Sequence, residues 1–401
     1  LTGMESLNKL LGRDVYQSNS QLGGIRVMYA NGVSHLVVDD DLEGATAILD
    51  WLAFVPRTKD ARLPIKEMGD PINRPIDFVP GKQGNNDTRE MLAGREDGSK
   101  WVSGFFDHGS WVETLAGWAK NVIVGRARLG GIPIGVIAVE TATVDKVMPA
   151  DPADPTTQEV VQPQAAQVWF PDSSFKTANA ISDFNREKLP LMVFANWRGF
   201  SGGTRDMFDE ILKFGSYIVD ELVDYKQPVM VYIPRHAELR GGAWVVIDPN
   251  INSERMEMFA DTHAAGGVLE AEGTVVVKYR KPMLLKTMRR LDATLQHLDN
   301  ELQMAVSKFG QGSALVEQIV GQVQAREKEL LPIYHQLATK FAELHDTPGR
   351  MKAKGVIDAV VPWEVSREFF YWRIRRRLEE SSLRKQVRPT SLKICPRENA
   401  F

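Results

Sequence analysis

The chain has 401 residues, room for two or three domains of ordinary size or for one large fold with insertions. At 43% hydrophobic and 25% charged it is composed like an average globular protein, which argues against disorder, a collagen repeat and a fibrous coil. Lys and Arg number 49 against 52 Asp and Glu, a net charge of −3, so no general attraction to nucleic acid or to an anionic membrane is expected, and one cysteine, Cys395, leaves no intrachain disulfide or cysteine-built metal framework.

Residues 129–139 form the longest strongly apolar uncharged stretch, and its three glycines and one proline in so short a run do not suit a membrane span. No basic, apolar, small-residue leader pattern opens the chain. Leu1 stands inside what reads as a running helix–loop pattern, so a fragment of a longer polypeptide is expected. The composition reads as a soluble α/β protein of a reducing compartment.

Thr2 and Glu5 have the spacing of a capping box and open a short helix that ends near Gly12. Residues 25–29 and 33–38 read as extended runs joined at Asn31-Gly32, a strong tight-turn signal. Asp40 with Glu43 caps the next helix, whose Leu42, Ala45, Leu49 and Leu52 share one face before Pro56. In residues 57–100, Pro64, Pro71, Pro75 and Pro80 alternate with charges and glycines, and the stretch reads as a linker. Residues 122–124 and 134–139 are β-rich, and 148–163 is loop-like. Strand–loop–helix units follow: a helix over 175–184, a strand over 191–195, an amphipathic helix over 207–222 and strands over 229–233 and 243–247. On the 207–222 helix, Phe208, Ile211, Leu212, Ile218, Val219 and Leu222 take the core side. The last third is helical. Leu284, Met288, Leu291, Leu295, Leu298 and Leu302 form a heptad-like stripe, and Val316, Ile319, Val320 and Val323 continue helically to a break at Pro332. Tyr334, Leu337, Phe341 and Leu344 carry a third stripe. All three read as an arm packing on its own core or on a partner subunit.

Few generic motifs carry chemistry. Gly199-Phe200-Ser201-Gly202-Gly203 fits the nucleophile elbow of a serine hydrolase, but Asn196-Trp197-Arg198 separates it from its strand, and His236, His263, His297, His335 and His345 have no distinguishing context. His35 with Asp39, Asp40 and Asp41 reads as capping and a solvated turn rather than a metal site. The basic run 373–377 on the helix over 363–380, with Phe369 and Trp372 opposite, reads as a solvated face. Two loops remain, each at the end of an apolar strand: Asn196-Trp197-Arg198-Gly199-Phe200-Ser201-Gly202-Gly203 and Glu238-Leu239-Arg240-Gly241-Gly242. Each places an arginine directly before glycines. Glycines let backbone N–H groups converge on a developing oxyanion, and arginine offers a forked cation to a carboxylate or phosphate. The residues therefore suggest an enzyme handling an oxyanion beside a carboxylate, with ordinary ion-pair arginines as the plain alternative.

At these loops the sequence resembles a known family. The segments GWAKNVIVGRARLGGIPIGVIAVET (117–141), VWFPDSSFKTANAISDFNREKLPLMVFANWRGFSGGTRDMFDEIL (168–212), IPRHAELRGGAWVVIDPNIN (233–252), the opening 44 residues and GVIDAVVPWEVSREFFYWRIRRRL (355–378) are similar to the carboxyltransferase domain of eukaryotic multidomain acetyl-CoA carboxylase. The resemblance implies an α/β, crotonase-like (ClpP/crotonase) β-β-α superhelix with a helical C-terminal arm. Residues 1–56 would be the end of the N-terminal subdomain, 57–100 the linker, and 101–401 the C-terminal subdomain with its arm over 283–380. It implies transfer of a carboxyl group from carboxybiotin, delivered on a separate carrier domain, to acetyl-CoA to give malonyl-CoA, in a cytoplasmic homodimer (a plastid or other organelle remaining open) with the site shared between subunits. Neither nucleic acid nor membrane enters as a partner, and no metal is implied in this segment.

By the same resemblance Arg198 meets the transferred carboxyl group, and the amides of Gly241 and Gly242 line the biotin-side oxyanion hole. Trp169, Phe200, Gly199 and Glu238 shape the biotin end of the pocket, and Ser201 loses its nucleophile role. The family's CoA-binding Arg-Ser-Val-Gly-Ile-Gly-type segment, its ATP-grasp domain and its Met-Lys-Met biotinylation site have no match here, so the chain reads as a carboxyltransferase fragment. Alone it acts either as an incomplete enzyme or as a non-catalytic binding and dimerisation module; the tail from about Arg388 is left unplaced.

Overall fold

The computed structural model describes residues 3–59, 61–82 and 87–386, and these fall into two compact units. One comprises the chain up to Ala265 together with the chain from Lys352 on; the other is Gly266–Met351. Thr2, at the head of the expected capping box, and the tail from Arg388 lie outside the described residues.

Among the described residues the first unit is built on a seven-stranded mixed sheet. From one edge to the other its strands are Ala359–Val360, Met256–Ala260, Val229–Ile233, Leu191–Phe194, Ile132–Val139, Val122–Leu129 and Val112–Thr114. The first five run parallel and the last two pairings are antiparallel. The hairpin Val122–Leu129/Ile132–Val139 turns at Gly130 and Gly131, both at positive φ (56° and 77°). A Cβ on Gly131 would stand 1.6 Å from the Lys66 carbonyl oxygen, so the turn admits no side chain there. All eight residues of each hairpin strand are buried: Ile132–Val139 is a continuous apolar run, and in Val122–Leu129 the buried Arg126 and Arg128 are held by Glu187 and by backbone carbonyls. The helices Pro171–Arg186 and Ile211–Val223 are the crossovers that parallel neighbours require.

The core is aromatic: Phe105, Phe106, Phe194, Tyr232, Phe259, Trp363 and Phe370 belong to one buried cluster, several of them meeting edge-to-face at 5.0–5.9 Å. Arg367 is buried within it, donating to the Phe105 carbonyl and the Asp107 carboxylate at 2.7 Å each. The long helix Trp363–Gln386 thus belongs to the sheet's own core. The arm expected over 283–380 ends earlier, because the chain past Lys352 returns to add the edge strand Ala359–Val360. Nor does residues 57–100 run free. Ile76, Phe78, Met91 and Leu92 are core members, and the helix Thr88–Ala93 and strand Gly94–Asp97 lie inside the stretch.

Several local expectations are corrected. Residues 25–28 are helical (Ile25–Met28), and 33–38 pair with no strand; the Asn31 side chain accepts from Val33 N, so the turn signal holds while its flanks are not strands. Residues 241–246 form a helix, not a strand. The glycine pair turns the chain out of the strand Glu238–Arg240, and Val245, 67% exposed, has no sheet neighbour to cover it. The ends of the loop-like stretch 148–163 are paired strands, Val144–Met148 with Val160–Gln164. Phe208 and Leu212 face solvent, since Thr204–Phe208 is a separate short helix and Ile211, Gly215, Ile218 and Leu222 carry the buried side of the next one. Asp40 caps as expected, accepting from Glu43 N, whereas Leu42, Leu49 and Leu52 are exposed.

In the second unit the leucine stripe is broken at Asp292. Its carboxylate accepts from Leu295 N at 2.8 Å to start the helix Ala293–Phe309, which leaves Leu291 exposed. Ala314–Glu343 runs unbroken through Pro332, and Leu337, Phe341 and Leu344 are exposed. The unit's core is Leu284, Met288, Leu295, Ala305, Val316, Ile319, Val323 and Leu330.

Candidate active site

The two arginine–glycine loops lie side by side. Past the strand Leu191–Phe194 the chain stays extended, and Gly199–Phe200 pairs in parallel with Val168–Trp169. Arg198 N donates to Gln167 O and Ser201 N to Trp169 O, both at 2.8 Å. On the other side Trp197 forms a parallel bridge with Leu239, and Arg240 N donates to Trp197 O at 2.9 Å. Asn196 completes the lacing: its Oδ1 accepts from Gln167 Nε2 and from Glu238 N.

Glu238 binds both arginines. Arg198 Nε donates to one carboxylate oxygen at 2.7 Å and Arg240 Nε to the other at 2.9 Å. Arg240 is buried, whereas the Arg198 side chain is about half exposed (53%), so the same carboxylate neutralises an interior cation and orients one that faces solvent. Charge-assisted contacts of this length are among the strong ones.

Gly199 sits at φ 150°, a conformation that side chains disfavour, with open space where a Cβ would be. It resets the strand's alternation, so that Trp197 and Phe200, three apart, both stack on Trp169, with centroids 4.0 and 5.1 Å away. Gly241 and Gly242 open the helix Gly241–Val246, where the first amides have no acceptor within the helix. A Cβ on Gly242 would come within 3.4 Å of the Phe200 ring. Arg198, Glu238, the glycine amides and the ring stack are therefore one assembly.

Beside it opens a chamber of about 410 Å³ at the carboxyl ends of the parallel strands, where open α/β sheets bind ligands. Arg198 and Glu238 line it, with Asn196, Lys82, Arg235 and His236. Trp169, Phe200, Gly199, Gly241 and Gly242 do not. His236 is held at φ 61°, and its ring is 5.4 Å from that of His263. Burial, and then the charges of Arg235, His263 and Lys82, push the His236 pKa down. Lys82 and Arg235 carry no mark in the sequence, His236 and His263 have no distinguishing context there, and Asn196 figures only as the head of its loop; the fold brings all five to one chamber.

The elbow reading fails locally. The Ser201 hydroxyl is bonded to Asp206 rather than to a histidine, and Gly202-Gly203 separates it from the following short helix. The basic run is no plain solvated face either: Arg373 Nε donates to buried Glu257 at 2.7 Å, and Arg377 is buried against the Glu254 carbonyl. Among the described residues no group of three or more His, Cys, Asp or Glu is placed to hold a metal ion, and no helix is long and apolar enough to cross a membrane.

Comparison with known proteins bears directly on this assembly. The family described as "Carboxyl transferase domain" matches residues 1–378. The chain is 59% identical over 393 residues to the acetyl-CoA carboxylase of Dictyostelium discoideum, 54% over 388 to that of Saccharomyces cerevisiae and 55% over 392 to acetyl-CoA carboxylase 1 of Arabidopsis thaliana. These alignments cover 96%, 96% and 98% of the chain but only 17% of each relative. Among solved structures, the transcarboxylase 12S with methylmalonyl-coenzyme A and methylmalonic acid bound has the same fold: TM-score 0.64 at 18% identity, covering 97% of this chain and 60% of that one.

Proposed function

Because the chain belongs to the carboxyl transferase family and has the α/β crotonase-like fold, we propose that it carries the carboxyltransferase half-reaction of acetyl-CoA carboxylase, moving a carboxyl group from carboxybiotin to acetyl-CoA to give malonyl-CoA. The observation that supports this best is the Arg198–Glu238–Arg240 clamp set against the Gly241-Gly242 helix start.

Carboxyl transfer needs a fixed cation for the carboxylate and amides where an oxyanion develops, rather than a side-chain nucleophile. Glu238 holds the Arg198 guanidinium so that little side-chain freedom is left to lose when a carboxylate arrives. The backbone at Gly242 comes close to the Phe200 ring, and a flat ureido ring fits a cradle of that kind, which a Cβ would begin to fill. Trp169, Phe200 and Gly199 would shape that cradle, and the amides of Gly241 and Gly242 would hold the ureido oxygen. Carboxybiotin, when bound, supplies the carboxyl group.

On this reading the partners are acyl-CoA, a biotin carrier domain and a second copy of the chain, in the cytoplasm or an organelle. Residues 1–56 end the N-terminal subdomain, and residues from 101 on form the C-terminal one. The test is transfer between malonyl-CoA and a free biotin derivative in the native polypeptide that contains this chain. Arg198→Met removes a charge-assisted contact to the moving carboxylate, worth ~2–4 kcal/mol, so the rate should fall about 10²–10³-fold with the circular dichroism unchanged. Near-normal transfer by that variant overturns the role of Arg198, and wild-type protein with no transfer overturns the proposed activity.

A further inference from the structure

We propose that Asn196 is a second hydrogen-bond donor to the carboxylate that Arg198 receives; the assignment rests on the carboxyl-transfer reading above and adds a substrate-contacting residue to it. Two donors converge on the Asn196 Oδ1: Gln167 Nε2 at 2.5 Å and Glu238 N at 3.1 Å. A backbone N–H can only donate, so the amide oxygen must face it, and the flipped amide would set donor against donor. The orientation of the Asn196 side chain is thereby fixed, with both oxygen lone pairs engaged.

The nitrogen is left over. Among the described residues nothing accepts from Asn196 Nδ2, and the atom is not sealed from solvent, since it is absent from the buried polar atoms that lack a partner. Asn196 lines the chamber, as does Arg198 two residues on, whereas Trp197 between them is buried in the ring stack on the opposite side. Residues i and i+2 of an extended segment share a face, so the amide N–H groups and the guanidinium address the same space. The chamber lining carries Lys82, Arg198 and Arg235 against the carboxylate of Glu238, which favours an anion over a neutral or cationic guest. A planar carboxylate has two oxygens to satisfy. Arg198 serves one, and the amide N–H of Asn196 serves the other.

A purely structural Asn196, present only to tie Gln167 to Glu238, makes a different forecast. Asn196→Asp keeps both accepted hydrogen bonds and the side-chain shape but has no N–H to give. If the residue is only a tie, the variant loses rate only through the charge it adds beside Arg198, and free malonate leaves the Asn196 side-chain amide resonances of the wild type unmoved. If it is a donor, transfer from malonyl-CoA to a free biotin derivative falls about 10²-fold in the native polypeptide, the usual cost of losing a single oxyanion donor. The loss recedes as pH falls and the new carboxyl group regains an O–H. A second readout uses free malonate on this chain. The side-chain amide NH₂ resonance pair of Asn196, assigned by its absence in Asn196→Asp, shifts on titration with malonate and not with dimethyl malonate. No malonate-dependent shift at Asn196, or full activity of the aspartate variant, overturns the assignment. Wild-type protein that binds malonate at Asn196 but transfers nothing keeps the contact and overturns the carboxyl-transfer reading instead.

Discussion

Gly241 and Gly242 are adjacent and chemically identical, yet their backbones set them different tasks. Gly241 holds φ 46°, where a β-branched residue is strained whatever the space around it. Gly242 carries no such constraint, and what a side chain meets there is the Phe200 ring at 3.4 Å. Gly242→Val should therefore strike function first: its methyl groups crowd the ring and displace the amide, lowering transfer to biotin by about 10²–10³-fold while the protein stays folded. Gly241→Val should strike stability, by about 1–3 kcal/mol in urea titration, the usual cost of one strained residue. Equal stability loss in both variants, with full transfer by Gly242→Val, would remove the loop from the oxyanion role. The two loops are legible in the sequence because arginine before glycine is a local signal. The donors that converge from elsewhere are not: Asn196 acquires its meaning only from Gln167 and Glu238, 29 and 42 residues away in the chain.

At the scale of an element, the helix Pro171–Arg186 is tied down by an unusual anchor. The Lys176 amine, fully buried, donates to the carbonyls of Trp118 at 2.8 Å, Leu115 at 2.9 Å and Ala119 at 3.3 Å. It thereby staples a loop whose Leu115 and Ala119 both adopt positive φ (60° and 44°). Burial holds its pKa down to about 7. The unfolded chain keeps an ordinary lysine near 10.4, so between these values the unfolded state binds more protons than the folded one. Stability contributed at this residue is thus full above about pH 10 and is lost as pH falls toward 7. Wild-type protein should gain stability over that window relative to Lys176→Met, whose side chain does not titrate; parallel urea midpoints for the two at pH 7 and 9.5 would refute the linkage. A cap is the easiest signal to read, as at Asp40, where the helix starts as expected although its apolar face is exposed. Misreadings fell on β-branched runs with no sheet neighbour: residues 33–38, which form no strand, and residues 243–247, where Val245 is solvent-facing. Propensity describes what a half-buried surface tolerates, and the sequence does not say where such a surface is.

At the scale of the whole molecule, each compact unit has buried clusters of its own and so its own source of stability. Met288, with no exposed surface, sits at the centre of the second unit's core. Met288→Ala should cost about 2–5 kcal/mol, and the accompanying loss of hydrogen-exchange protection should be confined to Gly266–Met351. Protection lost equally along Ile132–Val139 would mean the two cores melt as one. The sequence reads as a single helical arm because leucine spacing carries no mark of where the chain turns back; the return shows in the pairing of Ala359–Val360 with Met256–Ala260.

That return governs how the protein is made. Trp363 Nε1 donates to the Phe78 carbonyl across 285 residues, and Arg367 reaches the Phe105 carbonyl across 262. Contacts of such separation close late, because the entropy of the intervening loop must be spent before they return anything. On a ribosome, Phe78, Phe105 and Tyr232 emerge long before the rings that cover them. Until Phe370 and Ile374 have left the exit tunnel, the nascent sheet carries a bare aromatic face and an unpaired edge at Met256–Ala260, the kind of surface that invites association between incomplete chains.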